Sequence, residues 1–268
     1  MTTFIVTNRK GGCGKTTTAV NLAAYLAEHA PVLLVDLDPQ AQATLSLGVY
    51  PYRLTTSVYQ VINGQATVAE AALPTAHPNL HLLPASHDLA ASEIELASLH
   101  DREFRLRDAL ADLRYYQFIL IDCPPSLGLL TLNGLAAAQR VLVPLQAQFL
   151  ALEGLAQQMQ TIYRVTSEFN PELRLEGIIP TMVDAQTRLA RSVIRDVESN
   201  FGADRLLPTI RMDVKAAEAP SFGKPLIQYA PRSRAAEDYR RLAHALMDRY
   251  EPKITSPGHR ARRPVQAF

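Results

Sequence analysis

The sequence predicts an α/β fold: a doubly wound, mainly parallel β-sheet with helices on both faces. Two observations lead to this prediction. Short apolar runs rich in Val, Ile and Leu alternate with helix-like segments along the chain, and such runs are typical of strands that helices cover on both faces. A glycine-rich loop and acidic residues directly follow three of these runs. Such segments at strand ends mark the crevice where an open α/β sheet binds its ligand.

Each element is assigned from its own pattern. The apolar runs predict strands at 3–7, 32–37, 80–84, 118–122, 140–145 and 176–182, with a further short strand near 206–210. Apolar residues at helical spacing predict helices at 16–29, 56–63, 88–99, 102–114, 127–138, 151–168, 187–201 and 232–250. Helices between successive strands build parallel βαβ units.

The composition predicts a folded protein with a sizeable core. The chain has 268 residues, of which 47% are hydrophobic and 20% charged. No apolar run approaches the roughly 18 residues of a membrane span, and no secretory-type leader precedes the first strand. We therefore expect a cytoplasmic protein with no membrane partner. We also expect a single domain over 1–251 and a disordered basic tail over 252–268, which is rich in proline and basic residues.

The most informative motif is the glycine-rich loop after the first strand, which reads Lys10-Gly11-Gly12-Cys13-Gly14-Lys15-Thr16-Thr17. Glycines let the backbone turn tightly and aim its N–H groups at phosphate oxygens. Lys15 can contact the outer phosphates, and the Thr16 hydroxyl can bind Mg²⁺. The standard phosphate loop has glycine where this chain has Arg9, and Lys10 supplies a second lysine. The motif predicts a nucleotide site of the deviant phosphate-loop type.

Carboxylates at two other strand ends complete the predicted site. Asp36 and Asp38 are spaced by two at the end of the second strand, so they face the same way if the strand continues. Asp122 follows four apolar residues, which is the Walker B pattern, and its carboxylate is expected to support Mg²⁺. A polar strand end is common by itself. The combination with the loop favours a functional site.

Charge is unevenly distributed although the net charge is only +1. Residues 151–268 carry 18 Lys and Arg against 14 Asp and Glu, whereas residues 1–150 carry 9 against 12. Arginine suits contacts with phosphate, but an excess of this size is also common on solvated surfaces. Charge alone is therefore weak support for nucleic acid binding.

Several separate motifs resemble the ParA/Soj family of deviant-Walker ATPases, which also includes MinD. The resemblance extends from Asn8 to about Tyr250. It rests on the segments 10–17, 35–40, 121–128, 143–146, 151–155, 218–221 and 229–239.

This resemblance implies a P-loop ATPase with ATP and Mg²⁺ as cofactors and with weak intrinsic hydrolysis. Two ATP-bound monomers would enclose two nucleotides, and Lys10 of each would contact the phosphates of the other. Asp38 would orient the attacking water beside Lys15. Asp36 and Asp122 would support Mg²⁺ with Thr16 as its direct ligand. The adenine contact is predicted in the loop near Pro208.

The resemblance also implies partners. The ATP-bound dimer would bind double-stranded DNA without regard to sequence and would associate with the nucleoid. A ParB-type centromere-binding protein would stimulate hydrolysis and release the dimer. DNA contacts are predicted at Arg211, Lys215, Arg232 and Arg234, although Ala235 replaces the glycine that usually follows the last of these.

Other functions remain open within the same family. A related ATPase could position a protein cargo on the nucleoid, because the motor would be the same and only the partner would differ. A MinD-like membrane ATPase would need a C-terminal amphipathic helix, which the segment 252–268 does not show.

Overall fold

The computed structural model describes residues 1–184 and 186–250, and its strands form one seven-stranded sheet in the order β3-β4-β2-β5-β1-β6-β7. The strands are β1 Thr2–Val6, β2 Val32–Asp36, β3 Leu73–Pro74, β4 Leu80–Leu83, β5 Phe118–Asp122, β6 Arg140–Gln146 and β7 Arg174–Thr181. All neighbouring strands pair in parallel except β3, which pairs antiparallel with β4. The predicted fold class is confirmed.

Twelve α-helices accompany the sheet in the described ranges. They are α1 Lys15–Leu26, α2 Gln42–Ser46, α3 Val58–Ile62, α4 Val68–Ala71, α5 Ser92–Glu95, α6 Arg105–Leu110, α7 Leu129–Ala137, α8 Ala151–Glu168, α9 Arg188–Phe201, α10 Val214–Glu218, α11 Leu226–Tyr229 and α12 Arg234–Tyr250. Side chains cap several N-termini: Ser57 and Thr67 form capping boxes at α3 and α4, and Thr187 caps α9.

No described helix is long and apolar enough to cross a membrane.

The sheet separates two hydrophobic cores. Alternate residues of each strand point to opposite faces, so Ile5 and Ile121 lie in one core whereas Phe4 and Leu120 lie in the other. Helices α6 to α9 contribute to the first core, and α1 and α12 contribute to the second. This two-sided burial is the doubly wound arrangement.

Two predicted helices are shorter in the structure, and one short strand was not predicted. The helix predicted at 88–99 is divided into α5 and flanking 3-10 turns, His87–Ala91 and Leu96–Ser98. The helix predicted at 102–114 is confined to α6. Strand β3 was not predicted, because a segment of two residues that ends in a proline is too short to show the alternation of apolar and polar residues typical of a strand.

The strand predicted at 206–210 is instead an extended segment along the outer edge of β7. It makes isolated parallel bridges, Ile178 with Leu206 and Val183 with Arg211. The N–H of Leu207 donates to the Ile178 carbonyl at 2.9 Å. Pro208 lies between these bridges and has no N–H to donate, which prevents a continuous ladder. The tail predicted at 252–268 lies outside the described residues.

Candidate functional site

The carboxyl ends of three adjacent strands bring the predicted site residues together. Strand β5 lies between β1 and β2 in the sheet. In the register of these strands, Asp122 pairs with Val6 on one side and with Asp36 on the other. The glycine-rich loop begins at Lys10, four residues after Val6 ends β1, so the loop and both carboxylates lie at one edge of the sheet.

The loop has the backbone geometry that its glycines allow. Gly12 and Gly14 adopt φ values of 71° and 87°, a left-handed region in which a side chain is strained. Gly14 is the N-cap of α1, which begins at Lys15. A methyl group placed on Gly11 or Gly12 would meet no described atom within 4 Å. The loop therefore leaves room for a ligand at the positive end of a helix.

Two polar side chains from neighbouring strands and loops hold the phosphate loop in place. The Asn8 amide donates to the Pro144 carbonyl at 2.7 Å, and its oxygen accepts from the Lys10 N–H. The Thr181 hydroxyl at the end of β7 donates to the Cys13 carbonyl at 2.8 Å. These anchoring roles were not predicted, because the partners are separated by more than a hundred residues.

The two lysines of the loop lie in different environments. Lys15 is 7% exposed, and its ammonium donates to the Lys10 carbonyl at 3.2 Å, so it folds back over its own loop. Lys10 is exposed, and its ammonium donates to Gln148 Oε1 at 3.2 Å. One cation therefore belongs to the interior of the site, and the other lies at its surface.

Asp36 is fully buried and fixed by hydrogen bonds. Its Oδ2 accepts from both the N–H and the hydroxyl of Thr44 in α2, at 2.8 and 2.7 Å. Its Oδ1 accepts from the Asp38 N–H at 3.2 Å. Burial nevertheless raises the pKa of Asp36 to about 6. Thr44 also accepts from the Ala85 N–H and is a positioning residue that the sequence did not reveal.

Asp122 is also fully buried, but neither carboxylate oxygen meets hydrogen-bond geometry with a described residue. Burial raises the pKa of Asp122 well above its usual range, and the negative charge of Asp36 raises it further, although the nearby Thr16 hydroxyl acts to lower it. An unpartnered buried carboxylate is costly unless a cation or donor joins it. No group of three or more His, Cys, Asp and Glu side chains forms a metal cage in the described ranges. Mg²⁺ fits such a site, since it is usually held by few protein ligands together with phosphates and water.

Asp38 lies two residues beyond the end of β2. It is 8% exposed, and its Oδ1 accepts from the Gln40 N–H at 2.9 Å. Ala41 follows with φ of 52°, and this left-handed turn leads the chain from Asp38 into α2. The turn thus positions Asp38 and Thr44 together. Cys13 is buried in the loop, and burial raises the pKa of its thiol, so it is not an activated nucleophile.

The basic residues predicted to contact DNA fall into two groups. Arg211 donates to Asp238 at 2.8 to 3.2 Å and to Glu237 at 3.0 Å. Lys215 donates to Glu218 at 2.7 Å. Both cations are therefore already paired within the chain.

Arg232 and Arg234 form the second group. Both are exposed at the start of α12, and neither side chain makes an ion pair within the described ranges. The Arg234 carbonyl accepts from the Arg211 guanidinium at 3.3 Å, which connects the two groups. Pro208, the predicted adenine contact, is half-buried in the extended segment beside β7.

The fold and the site define a P-loop nucleotide-binding protein of the deviant type. The loop presents backbone N–H groups and Lys15 at the start of α1, Thr16 is the second residue of that helix, and the buried Asp122 carboxyl lies at the same edge of the sheet. This donor set suits phosphates and a metal ion. Lys10 is the feature that separates this type from other phosphate loops.

Comparison with known proteins gives the family. The AAA domain model matches residues 1–175. Chromosome partitioning protein ParA of Myxococcus xanthus is 46% identical over 250 residues, which cover 92% of this chain and 88% of that protein. Chromosome-partitioning ATPase Soj of Thermus thermophilus is 47% identical over 247 residues, with 91% and 94% covered. The chain belongs to the ParA/Soj family of P-loop ATPases.

A solved structure supports the cofactors. Cobyrinic acid a,c-diamide synthase from Mycobacterium smegmatis, with a bound ATP analog and magnesium, is 40% identical to this chain. Its TM-score is 0.82, and the match covers 93% of this chain and 96% of that one. The protein is a nucleotide-hydrolysing ATPase whose cofactors are ATP and Mg²⁺.

Proposed function

We propose that this protein is a DNA-partition ATPase that works as an ATP-dependent switch. Two ATP-bound copies form a sandwich dimer, the dimer binds DNA without reading its sequence, and a ParB-type partner stimulates hydrolysis and releases it. The observation that carries the proposal is the surface position of Lys10, whose ammonium faces Gln148 rather than its own loop. A cation in this position can contact the phosphates of a second copy.

The residues of the site divide the chemistry between them. The loop from Gly11 to Thr17 binds the phosphates, with Lys15 as the interior cation. Asp36, Asp122 and Thr16 would hold Mg²⁺, which would supply positive charge beside the phosphates when bound. Asp38 orients the attacking water. Pro208 lines the adenine side.

Hydrolysis by the isolated protein is expected to be weak. Lys10 completes the charge around the phosphates only when a second copy is present, so a lone monomer lacks one stabilising cation. Because Lys10 must come from a second copy, binding of ATP and formation of the dimer are coupled. The protein is then cytoplasmic and associates with the nucleoid while ATP is bound.

DNA contact is assigned to the start of α12. Arg232 and Arg234 are exposed there without ion pairs in the described ranges, so their guanidinium groups are available to phosphates. Arg211 and Lys215 lie beside them. Contacts of this kind carry no base information, so binding is expected to be indifferent to sequence.

The test is DNA binding by the full chain, titrated by interferometry on two unrelated duplexes, with ATP, ADP or no nucleotide, at two salt concentrations. We expect ATP-dependent binding that is equal on both duplexes and falls steeply with salt. Lys15→Ala is the matched control, because it cannot load ATP. Equal binding without nucleotide, or a preference for one duplex that survives high salt, contradicts the proposal. Amidation of cobyrinic acid by the protein would indicate a different function.

A cargo-positioning ATPase is the alternative that shares this motor. It predicts the same DNA binding but a partner that is not a centromere-binding protein. Co-purification from the native cell distinguishes the two, since a ParB-type partner is expected only for partition. A MinD-like system would instead show ATP-dependent binding to anionic vesicles.

A further inference from the structure

We propose that helix α9 carries a second DNA-contacting surface, an arginine stripe formed by Arg188, Arg191 and Arg195. The proposal rests on the DNA-binding function proposed above and adds a surface to it. The three residues are separated by three and four positions, so they lie along one face of the helix. All three are exposed and border one shallow groove of ≈ 550 Å³ together with Ile194.

The charges of the stripe are not used inside the protein. No ion pair of the described ranges includes any of the three arginines. The two acids of the same helix, Asp196 and Glu198, are exposed and remain outside ion-pair distance of them. By contrast, Arg164 on the neighbouring helix α8 pairs with Glu168 at 3.1 Å. Three uncompensated guanidinium groups within two turns form a local positive field that favours a polyanion.

The spacing suits a nucleic acid backbone. Arg188 and Arg195 are about 10 Å apart along the helix axis at about 1.5 Å per residue. One strand of DNA carries a phosphate about every 3.4 Å of its axis. A stripe laid parallel to the duplex axis therefore spans about three phosphate intervals of one strand, and guanidinium groups bind phosphate in two-point geometry.

The segment that leads into α9 contacts the segment that carries Arg211, another candidate DNA contact. Val183, just before α9, pairs with Arg211, and the Met212 N–H donates to the Val183 carbonyl at 3.2 Å. Arg211 in turn contacts Asp238 and the Arg234 carbonyl of α12. The segment before α9 and the beginning of α12 are therefore joined through Arg211, and under this proposal the arginines of both helices contact the same DNA.

A DNA partner fits this helix better than a membrane. The apolar face of α9 is already buried in the protein through Ala190, Val193 and Val197. A helix that binds a lipid surface needs a free apolar face that enters the acyl region. Among the described apolar side chains of α9, only Leu189 is largely exposed, at 48%. The available chemistry is therefore electrostatic.

The test combines one triple variant with a matched control in the full chain. Arg188→Ala/Arg191→Ala/Arg195→Ala is expected to weaken ATP-dependent binding to a duplex by about tenfold or more and to reduce the salt slope by about 0.9 for each lost contact. ATP binding and thermal stability are expected to be unchanged. The triple lysine variant should keep most of the binding and its salt slope, because counterion release needs only the charge. Arg114→Glu removes another exposed arginine, at the amino end of β5, and should leave DNA affinity unchanged.

The possible outcomes separate this inference from the proposed function. If wild-type protein binds DNA with ATP and the triple alanine variant binds equally well, the stripe is not a DNA surface although the proposed function stands. If wild-type protein does not bind DNA, the proposed function fails first. Loss of binding to phosphatidylglycerol vesicles, with DNA binding intact, would assign the stripe to a membrane and overturn the inference. Should the triple variant fail to fold, Arg191→Ala and Arg195→Ala singly give the same readout with smaller slope changes.

Discussion

At the scale of single residues, the site depends on how each charge is compensated. Lys15 is buried and satisfied by a backbone carbonyl, whereas Lys10 is exposed beside a glutamine. Asp36 accepts three hydrogen bonds, whereas neither oxygen of the equally buried Asp122 meets hydrogen-bond geometry with a described residue. Burial raises the pKa of Asp122, and the nearby Thr16 hydroxyl acts to lower it. The two lysines, and likewise the two aspartates, therefore differ in burial and in hydrogen bonding although their side chains are the same.

The two lysines make a matched pair for mutation. Lys15→Ala is expected to abolish measurable ATP binding, since it removes the interior cation at the phosphates. Lys10→Ala should bind ATP with nearly wild-type affinity as a monomer but lose ATP-dependent dimerisation. Calorimetry and light scattering measure the two properties separately. Equal loss of ATP affinity in both variants would show that the lysines have no separate roles.

Asp38 is expected to act on hydrolysis rather than binding. Asp38→Ala should bind ATP and dimerise normally while its hydrolysis rate falls about a hundredfold or more, because orientation of the attacking water is lost. A phosphate-release assay checks the rate, and light scattering should show a persistent ATP-bound dimer. Asp112→Ala changes an exposed acid on another part of the surface and serves as the control. A wild-type rate in Asp38→Ala would remove this residue from the mechanism.

At the scale of elements, the sequence predicts the six principal strands and the longer helices, since continuous apolar runs and helical spacing are strong local signals. It misses the short helices α2, α4, α10 and α11. It does not predict the interruption of 88–99 or the short span of α6, because tertiary contacts decide where those helices stop. It also misses the extended segment beside β7, where Pro208 interrupts the ladder. Contacts such as Thr181 with Cys13 join distant parts of the chain, so no local pattern encodes them.

The contact between β7 and the phosphate loop predicts a measurable effect. Thr181→Val removes the hydroxyl that donates to the Cys13 carbonyl and leaves a buried acceptor unpaired. ATP affinity should fall about tenfold, corresponding to roughly 1.4 kcal/mol. Thr181→Ser keeps the hydroxyl and should retain most of the affinity in calorimetry. Similar affinities in the valine variant and the wild type would mean that β7 does not position the loop.

At the scale of the whole molecule, the two buried carboxylates act on stability. Burial raises the pKa of Asp36 to about 6, against about 3.9 for an unfolded aspartate. Between about pH 4 and pH 6, Asp36 is therefore protonated in the folded state but ionised in the unfolded state. For the nucleotide-free protein, this contribution to the free energy of unfolding is full below about pH 4 and is lost as the pH rises through about 6.

The same reasoning predicts a stabilising substitution. Asp122→Asn removes a buried carboxyl whose ionised form is disfavoured by burial and by Asp36, so the nucleotide-free variant should melt about 2–4 °C above wild type at pH 8. The gain should shrink at pH 4, where the wild-type carboxyls are protonated. Thermal melts at both pH values measure the difference, and Asp112→Asn controls for surface charge. A lower melting temperature for Asp122→Asn at pH 8 would contradict this account.

The two edges of the sheet affect how copies of the protein behave when they are crowded together. An exposed strand edge is a template on which another chain can add a strand. Here one margin is β3, only two residues long and ending in Pro74, and the other is covered by the segment that contains Pro208. Many copies gathered on one DNA molecule would reach high local concentrations. Both margins are built so that such neighbours cannot readily stack strand upon strand, and the gathered protein can disperse again.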